Sequence, residues 1–221
     1  MAETQASKST ARPGFSRRRF LQGAGAVGVG AVILESPLLR GSDAEGQPLP
    51  GDGTVISGNV DIVLNINGQD HQINVEPRTT LLNALRNHVE PPLTGPKLVC
   101  DMGTCGACTV LLEGKPVYGC LTLAIDAVGK KITTVEGLGT PENPNVVQQA
   151  FHEKDGMMCG FCTPGFVTCI SGLLMENPDP TDEEVREYCK GNFCRCGTFP
   201  HVFQAAQEAA KAVQKGGKLT L

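Results

Sequence analysis

Cys100-Asp101-Met102-Gly103-Thr104-Cys105-Gly106-Ala107-Cys108-Thr109-Val110, with Cys120 further on, decides how this chain is read. Written as spacing, the four cysteines are C-x4-C-x2-C-x11-C. Three thiolates crowded onto one loop, plus a fourth from a neighbouring strand, can wrap a small inorganic core. The first three follow the C-x4-C-x2-C spacing of a thiolate-held [2Fe–2S] centre. Gly103, Thr104, Gly106 and Ala107 fill the gaps, which suits a loop whose backbone N–H groups turn inward toward sulfur. Glycine allows positive φ and close approach of the main chain. Zinc or disulfides are the competing assignment, but zinc sites favour paired C-x2-C knuckles.

The elements around the loop give it a scaffold. Val60 to Ile66 alternates apolar and polar residues, as a half-buried strand does. Asn67-Gly68 is a strong hairpin signal, and Ile73 and Val75 lie on the returning strand. Arg78-Thr79-Thr80 leads into a short helix over Leu81 to Arg86, which Pro91-Pro92 forbids from continuing. Beyond the cysteine loop, Thr109 to Leu112, Glu113-Gly114-Lys115 and Val117 to Cys120 read as a second hairpin, and Lys131 to Val135 as a last strand. Two hairpins, a crossing helix and a closing strand predict a β-grasp, the ferredoxin-like arrangement, over residues 59–137.

From Gly137-Leu138-Gly139 the apolar period becomes helical. Val146, Val147, Ala150 and Phe151 share one face. Thr163-Pro164 reads as an N-cap with proline at N1, opening a helix with Phe166, Ile170, Leu173 and Leu174 inward. Asn177 to Pro180 stops it, and Thr181 with Glu184 forms a capping box ahead of Val185 and Tyr188. A final helix carries Val202, Ala205, Ala206, Ala209 and Val213. The expected architecture is therefore α+β: the β-grasp followed by a four-helix bundle over residues 138–215, with a tail at 216–221.

The bundle carries its own quartet. Cys159-Gly160-Phe161-Cys162 sits at the turn between its first two helices, and Cys194-Arg195-Cys196 at the turn before its last. These turns can meet at one end, and Cys162 lies near a helix N-terminus, where the dipole and free N–H groups favour thiolate. Taken alone, this all-cysteine set leaves zinc open. Cys169 and Cys189 are read as buried core thiols. His71, His88, His152 and His201 have no ligand spacing around them, and Arg195 is either a surface charge or an offset to a cluster's negative charge.

The N-terminal 44 residues read as an address. Ser16-Arg17-Arg18-Arg19-Phe20-Leu21 precedes an apolar Gly/Ala-rich stretch from Gly23 to Leu34, and Ser42-Asp43-Ala44 supplies small residues for cleavage. The pattern resembles a twin-arginine export signal and predicts a periplasmic protein. Membrane association is expected only if the signal is retained. Residues 45–58 read as a Gly/Pro-rich linker. Ten cysteines among 221 residues in an exported protein would ordinarily suggest disulfides. Export after folding instead lets thiolates take up iron in the reducing cytosol. A net charge of −4 gives no sign of a nucleic-acid partner.

Taken together, C-x4-C-G-x-C-T-V with its later cysteine, C-G-F-C-T-P-G and N-x-C-R-C resemble the two-cluster iron–sulfur subunit of the xanthine oxidase family of molybdenum hydroxylases. With the export signal, the chain is similar to the small subunits of periplasmic aldehyde oxidoreductases. The match runs over about residues 60–215. The resemblance implies that Cys100, Cys105, Cys108 and Cys120 hold a solvent-side [2Fe–2S] cluster. Cys159, Cys162, Cys194 and Cys196 would hold a second, nearest a molybdopterin on a separate large subunit. Cys196 would lie against the pterin as the electron entry point. The position before Cys159 is commonly Gln, bonded to the pterin; here it is Met158, which cannot donate that bond. Gly197-Thr198-Phe199 also departs from the family's Thr-Gly-Tyr. The implied function is electron relay from an aldehyde-oxidising molybdenum centre through two clusters to an FAD subunit or a cytochrome c, whose haem would lie on that partner. The alternatives are an N-heterocycle hydroxylase of the isoquinoline or xanthine type, a free ferredoxin-type carrier, and a structural zinc or disulfide protein.

Overall fold

The computed structural model describes residues 58–219. The signal and nearly all of the linker lie outside the described residues, as do the last two positions of the tail. The described residues belong to one compact unit, Val55–Leu221. Among them, no helix is long and apolar enough to cross a membrane.

β1 (Val60–Ile66) and β2 (Gln69–Val75) pair antiparallel, with Val60 opposite Val75 and Ile66 opposite Gln69. Asn67-Gly68 makes the two-residue turn, as expected. Helix α1 (Leu81–Asn87) is capped by the Thr80 side chain, which accepts from the Asn83 N–H. β3 (Thr109–Leu112) and β4 (Lys115–Tyr118) form the second hairpin, and β5 (Lys131–Thr133) completes a five-stranded sheet of order β2-β1-β5-β3-β4. β5 therefore lies in the middle of the sheet, parallel to β1 and antiparallel to β3. It ends before Val135, which begins a 3-10 turn, Val135–Gly137.

Four helices follow: α2 (Val146–Glu153), α3 (Thr163–Glu176), α4 (Asp182–Tyr188) and α5 (Phe199–Gln214). Asn145 with Gln148 and Thr181 with Glu184 form reciprocal capping boxes at α2 and α4. The opening of α3 differs from the sequence expectation. Cys162 is its N-cap, Thr163 is already helical, and Pro164 falls at the second position. No side chain caps this terminus.

α3 also departs from a one-faced helix. Every residue from Gly165 to Leu174 is buried. The other helices cover one side and the sheet covers the other, so α3 has no solvent face to spend on polar residues. β3 is the counterpart in the sheet. Its Val110 side chain joins Leu64, Ile66, Leu81, Leu85 and Ile132 in the grasp core. The next residue, Leu111, points the opposite way and joins Phe166, Ile170 and Leu174 in the bundle core. Alternation along a strand sends neighbouring side chains to opposite faces, so one strand serves two hydrophobic cores. The two predicted segments are thus fused through a common wall.

Candidate metal centres

Cys100 and Cys105 lie on the loop between α1 and β3, and Cys108 immediately precedes β3. Cys120 lies in the turn two residues past β4, not on a strand as the pattern predicted. The strand ends early because Leu121 and Thr122 donate N–H bonds back to the Tyr118 carbonyl, turning the chain toward Cys108. The four sulfurs come in two pairs. Cys100 and Cys105 hydrogen-bond one another, and so do Cys108 and Cys120.

Backbone donors converge on these sulfurs. The Thr104 N–H donates to Cys100 Sγ at 3.4 Å, and the Met102 N–H joins it. The Ala107 N–H donates to Cys105, and the Cys120 N–H to Cys108. Burial works to raise the Cys100 thiol, but its donors outweigh that and hold it at about 6. Burial pushes Cys108 up to about 12, with the neighbouring Cys120 and Cys105 sulfurs adding to the effect. Such crowded thiols resist ionising together, and a cation among them reverses the balance by displacing their protons.

The second quartet is built from the two helix N-termini at one end of the bundle. Cys159 precedes α3, Cys162 caps it, and Cys194 and Cys196 lie between α4 and α5. Cys162 pairs with Cys194, and Cys159 with Cys196. The N–H groups of Thr198, Gly197 and Cys196 all donate to Cys194, and that of Phe161 to Cys159. Burial, helped by the Cys194 sulfur, pushes Cys162 up to about 12. Two helix dipoles with free N–H groups favour an anionic group at this spot. The buried hydroxyls of Thr163 and Thr198 have no hydrogen-bond partner, so each has a donor to spare beside the quartet.

This donor set suits a two-iron core. Sulfurs paired two and two match a core that takes two thiolates at each iron, whereas tetrahedral zinc needs four around one point. Met157, Met158, Phe161 and Phe193 are exposed around the second quartet, where Cys159 and Cys196 are themselves exposed. Leu98, Val99, Met102 and Leu121 are exposed around the first. Arg195 is exposed, and His201 Nδ1 lies 2.9 Å from the Lys154 carbonyl oxygen, away from either quartet.

The quartets are joined directly. The Phe193 N–H, one residue before Cys194, donates to the carbonyl of Cys105 at 2.9 Å. The buried Asn192 amide donates to the Gly106 carbonyl at 2.9 Å and to Thr109 Oγ1 at 3.3 Å. Gly106 has φ +66°, and a Cβ there would sit 2.6 Å from the Gly191 carbonyl oxygen. A Cβ at Gly165, in the first turn of α3, would sit 2.4 Å from the Gly106 carbonyl oxygen. Two glycines therefore let the bundle's backbone rest on the first cysteine loop. Sequence reasoning placed Asn192 only inside the N-x-C-R-C motif and missed its bridging role. The nearby signal was a polar residue set between apolar neighbours beside a ligand cysteine.

A β-grasp and a helical bundle, each carrying a quartet of cysteines, define a two-centre iron–sulfur electron-transfer protein. Known proteins agree. A 2Fe-2S iron-sulfur cluster binding domain matches residues 64–128, and a [2Fe-2S] binding domain matches residues 134–207. The aldehyde oxidoreductase iron-sulfur-binding subunit PaoA of Escherichia coli K12 is 36% identical over 215 residues, covering 90% of each chain. The nicotinate dehydrogenase small FeS subunit of Eubacterium barkeri is 41% identical over 152 residues, covering 69% of this chain and 96% of the other. In the crystal structure of quinoline 2-oxidoreductase from Pseudomonas putida 86, one chain superposes with a TM-score of 0.68 at 41% identity, covering 73% of this chain and all of that one. The aldehyde oxidoreductase of Desulfovibrio gigas superposes with a TM-score of 0.67 at 38% identity, over 71% of this chain and 17% of that larger one. The chain belongs to the family of two-cluster [2Fe–2S] subunits of xanthine oxidase family molybdenum hydroxylases. The chain carries two [2Fe–2S] binding domains, so the zinc and disulfide readings give way.

Proposed function

We propose that this chain is the iron–sulfur subunit of an exported aldehyde oxidoreductase. In this reading Cys100, Cys105, Cys108 and Cys120 hold the outer cluster, and Cys159, Cys162, Cys194 and Cys196 the inner one. When bound, each cluster accepts and passes on one electron at a time. A molybdopterin-bearing large subunit oxidises the aldehyde with water to the carboxylic acid, releasing two protons and two electrons. The residues of this chain fix where those electrons enter, how far apart the clusters lie, and how strongly each is held.

One observation carries the reading: the exposed edge of the second quartet is apolar. Met158 is 67% exposed beside Cys159, within the exposed surface that includes Met157, Phe161 and Phe193. Apolar surface of this kind suits a permanent subunit interface better than transient docking by a diffusing carrier. In this reading Cys196 and Met158 face the pterin, with the Met158 thioether offering packing and no hydrogen bond. The aldehyde reading is supported over the N-heterocycle one by reach. The PaoA likeness extends over 90% of both chains, whereas the nicotinate dehydrogenase likeness takes in 69% of this one. The electron acceptor is an FAD subunit or a cytochrome c docked over the outer quartet.

Purification of the tagged chain with its co-encoded large subunit tests the assignment. Anaerobic addition of an aromatic aldehyde should reduce both clusters, read as two paramagnetic signals. Reduction by an N-heterocycle and not by aldehydes would move the assignment to the second reading, and a chain that purifies alone would move it to a free carrier. For the export signal, Arg17→Lys with Arg18→Lys should leave the protein in the cytoplasm with its clusters loaded. Unchanged export would overturn the twin-arginine assignment.

A further inference from the structure

Removing the two quartets from the ten cysteines leaves Cys169 and Cys189, and the fold brings these two together. Cys169 lies on α3 and Cys189 caps the end of α4. Their sulfurs are 4.0 Å apart, and the Cys169 thiol also reaches the Tyr188 carbonyl at 3.6 Å. Each residue is 3% exposed. Cys169 nevertheless lines a cleft of about 350 Å³ shared with Thr109, Tyr118, Leu121 and Tyr188, which gives a small reagent a way in.

We propose that Cys169 and Cys189 are a modification site, a dithiol that closes to a disulfide and staples the two halves of the inner ligand set together. One half, Cys162, is the N-cap of the helix that carries Cys169. The other, Cys194 with Cys196, lies a few residues beyond Cys189 in a segment without regular structure apart from turns. A bond between the pair would anchor the start of that segment to α3. Bonding distance for two sulfurs is about 2 Å, so closing the bond requires the two side chains to turn toward one another from contact.

The oxidant is a disulfide, either a small one such as oxidised glutathione or one carried by a thiol–disulfide oxidase. Cys169, which faces the cleft, attacks one sulfur of the oxidant and expels its partner as a thiolate. Cys189 then attacks Cys169 Sγ and expels the second thiolate. The two protein thiols lose two protons and two electrons, and the oxidant leaves as two thiols. The Cys189 thiol and burial together push the Cys169 thiol well above its ordinary value, so exchange is slow. A slow, buried pair acts as a staple and not as a sensor.

The test uses the cluster-loaded complex, incubated with oxidised or with reduced glutathione, then denatured in an alkylating agent and digested with trypsin. The expected product is a linked peptide joining residues 155–186 to residues 187–190 in the oxidised sample only. Iron loss from the inner cluster to a chelator should slow severalfold in that sample, and this protection should be absent in Cys189→Ser. The peptide measurement needs only the unaltered protein, so a poorly folding variant does not blunt it. Both thiols recovered fully alkylated after prolonged oxidation, with clusters intact, would overturn the proposal. So would a linked peptide whose formation leaves chelator resistance unchanged.

Discussion

Asn192 donates from a buried position to the Gly106 carbonyl and to Thr109 Oγ1. Asn192→Ala leaves the carbonyl with its Thr109 partners but removes the amide that spans the two halves of the molecule. Losing buried hydrogen bonds of this kind costs about 1–3 kcal/mol, so the thermal midpoint of the loaded protein should fall by several degrees while both cluster signals persist. Cys100 offers a second test at this scale. Its thiol is held at about 6, whereas Cys108 and Cys162 are pushed up to about 12. A thiol reacts as the thiolate, so its reactivity rises as pH climbs through its pKa. In iron-free protein, iodoacetamide should label Cys100 with a midpoint near pH 6, and Cys108 and Cys162 only in strong alkali. Peptide mass spectrometry across a pH series reads this directly. Equal labelling of all three at pH 7 would contradict the hydrogen-bond account of Cys100.

At the scale of elements, β3 ties the two cores together. Leu111 is fully buried in the bundle core while its neighbour Val110 is fully buried in the grasp core. Truncating a buried leucine to alanine costs about 2–5 kcal/mol, depending on how far the site can collapse. Leu111→Ala should therefore shift the urea midpoint strongly. Because β3 belongs to both cores, a single transition is expected by fluorescence and by visible absorbance. Two separated transitions would mean that the cores unfold independently. The local grammar of these elements was legible in the chain. Alternation at Val60–Ile66, Asn67-Gly68 at the turn, and the capping box of α4 act over a few residues, and the structure keeps them. What was not legible depends on long-range packing. Cys120 sits past its strand because Leu121 and Thr122 bond back to Tyr118. Cys162, not Thr163, is the N-cap of α3, and Thr163 is already helical. The all-round burial of α3 required knowing that the sheet would cover its second side. Both cysteine quartets were visible from spacing alone, but their two-and-two pairing was not.

For the whole molecule, the order of the relay gives the decisive prediction. Cys196→Ser removes one thiolate from the exposed edge of the inner quartet and leaves the outer one untouched. The outer cluster should assemble and show its own paramagnetic signal, while aldehyde-dependent reduction of the physiological acceptor falls at least about a hundredfold, equivalent to about 2.7 kcal/mol or more in the rate-limiting barrier. Acceptor turnover at the normal rate would refute entry through this edge. The contact between Phe193 N–H and the Cys105 carbonyl bears on how such a relay persists through evolution. Donor and acceptor are both peptide groups, common to nearly every residue type, so drift in the side chain at position 193 leaves the tie intact. Only proline, which has no N–H, would cut it. The distance an electron must cross is thereby insulated from most mutation, and the surface around it stays free to adapt to new partners.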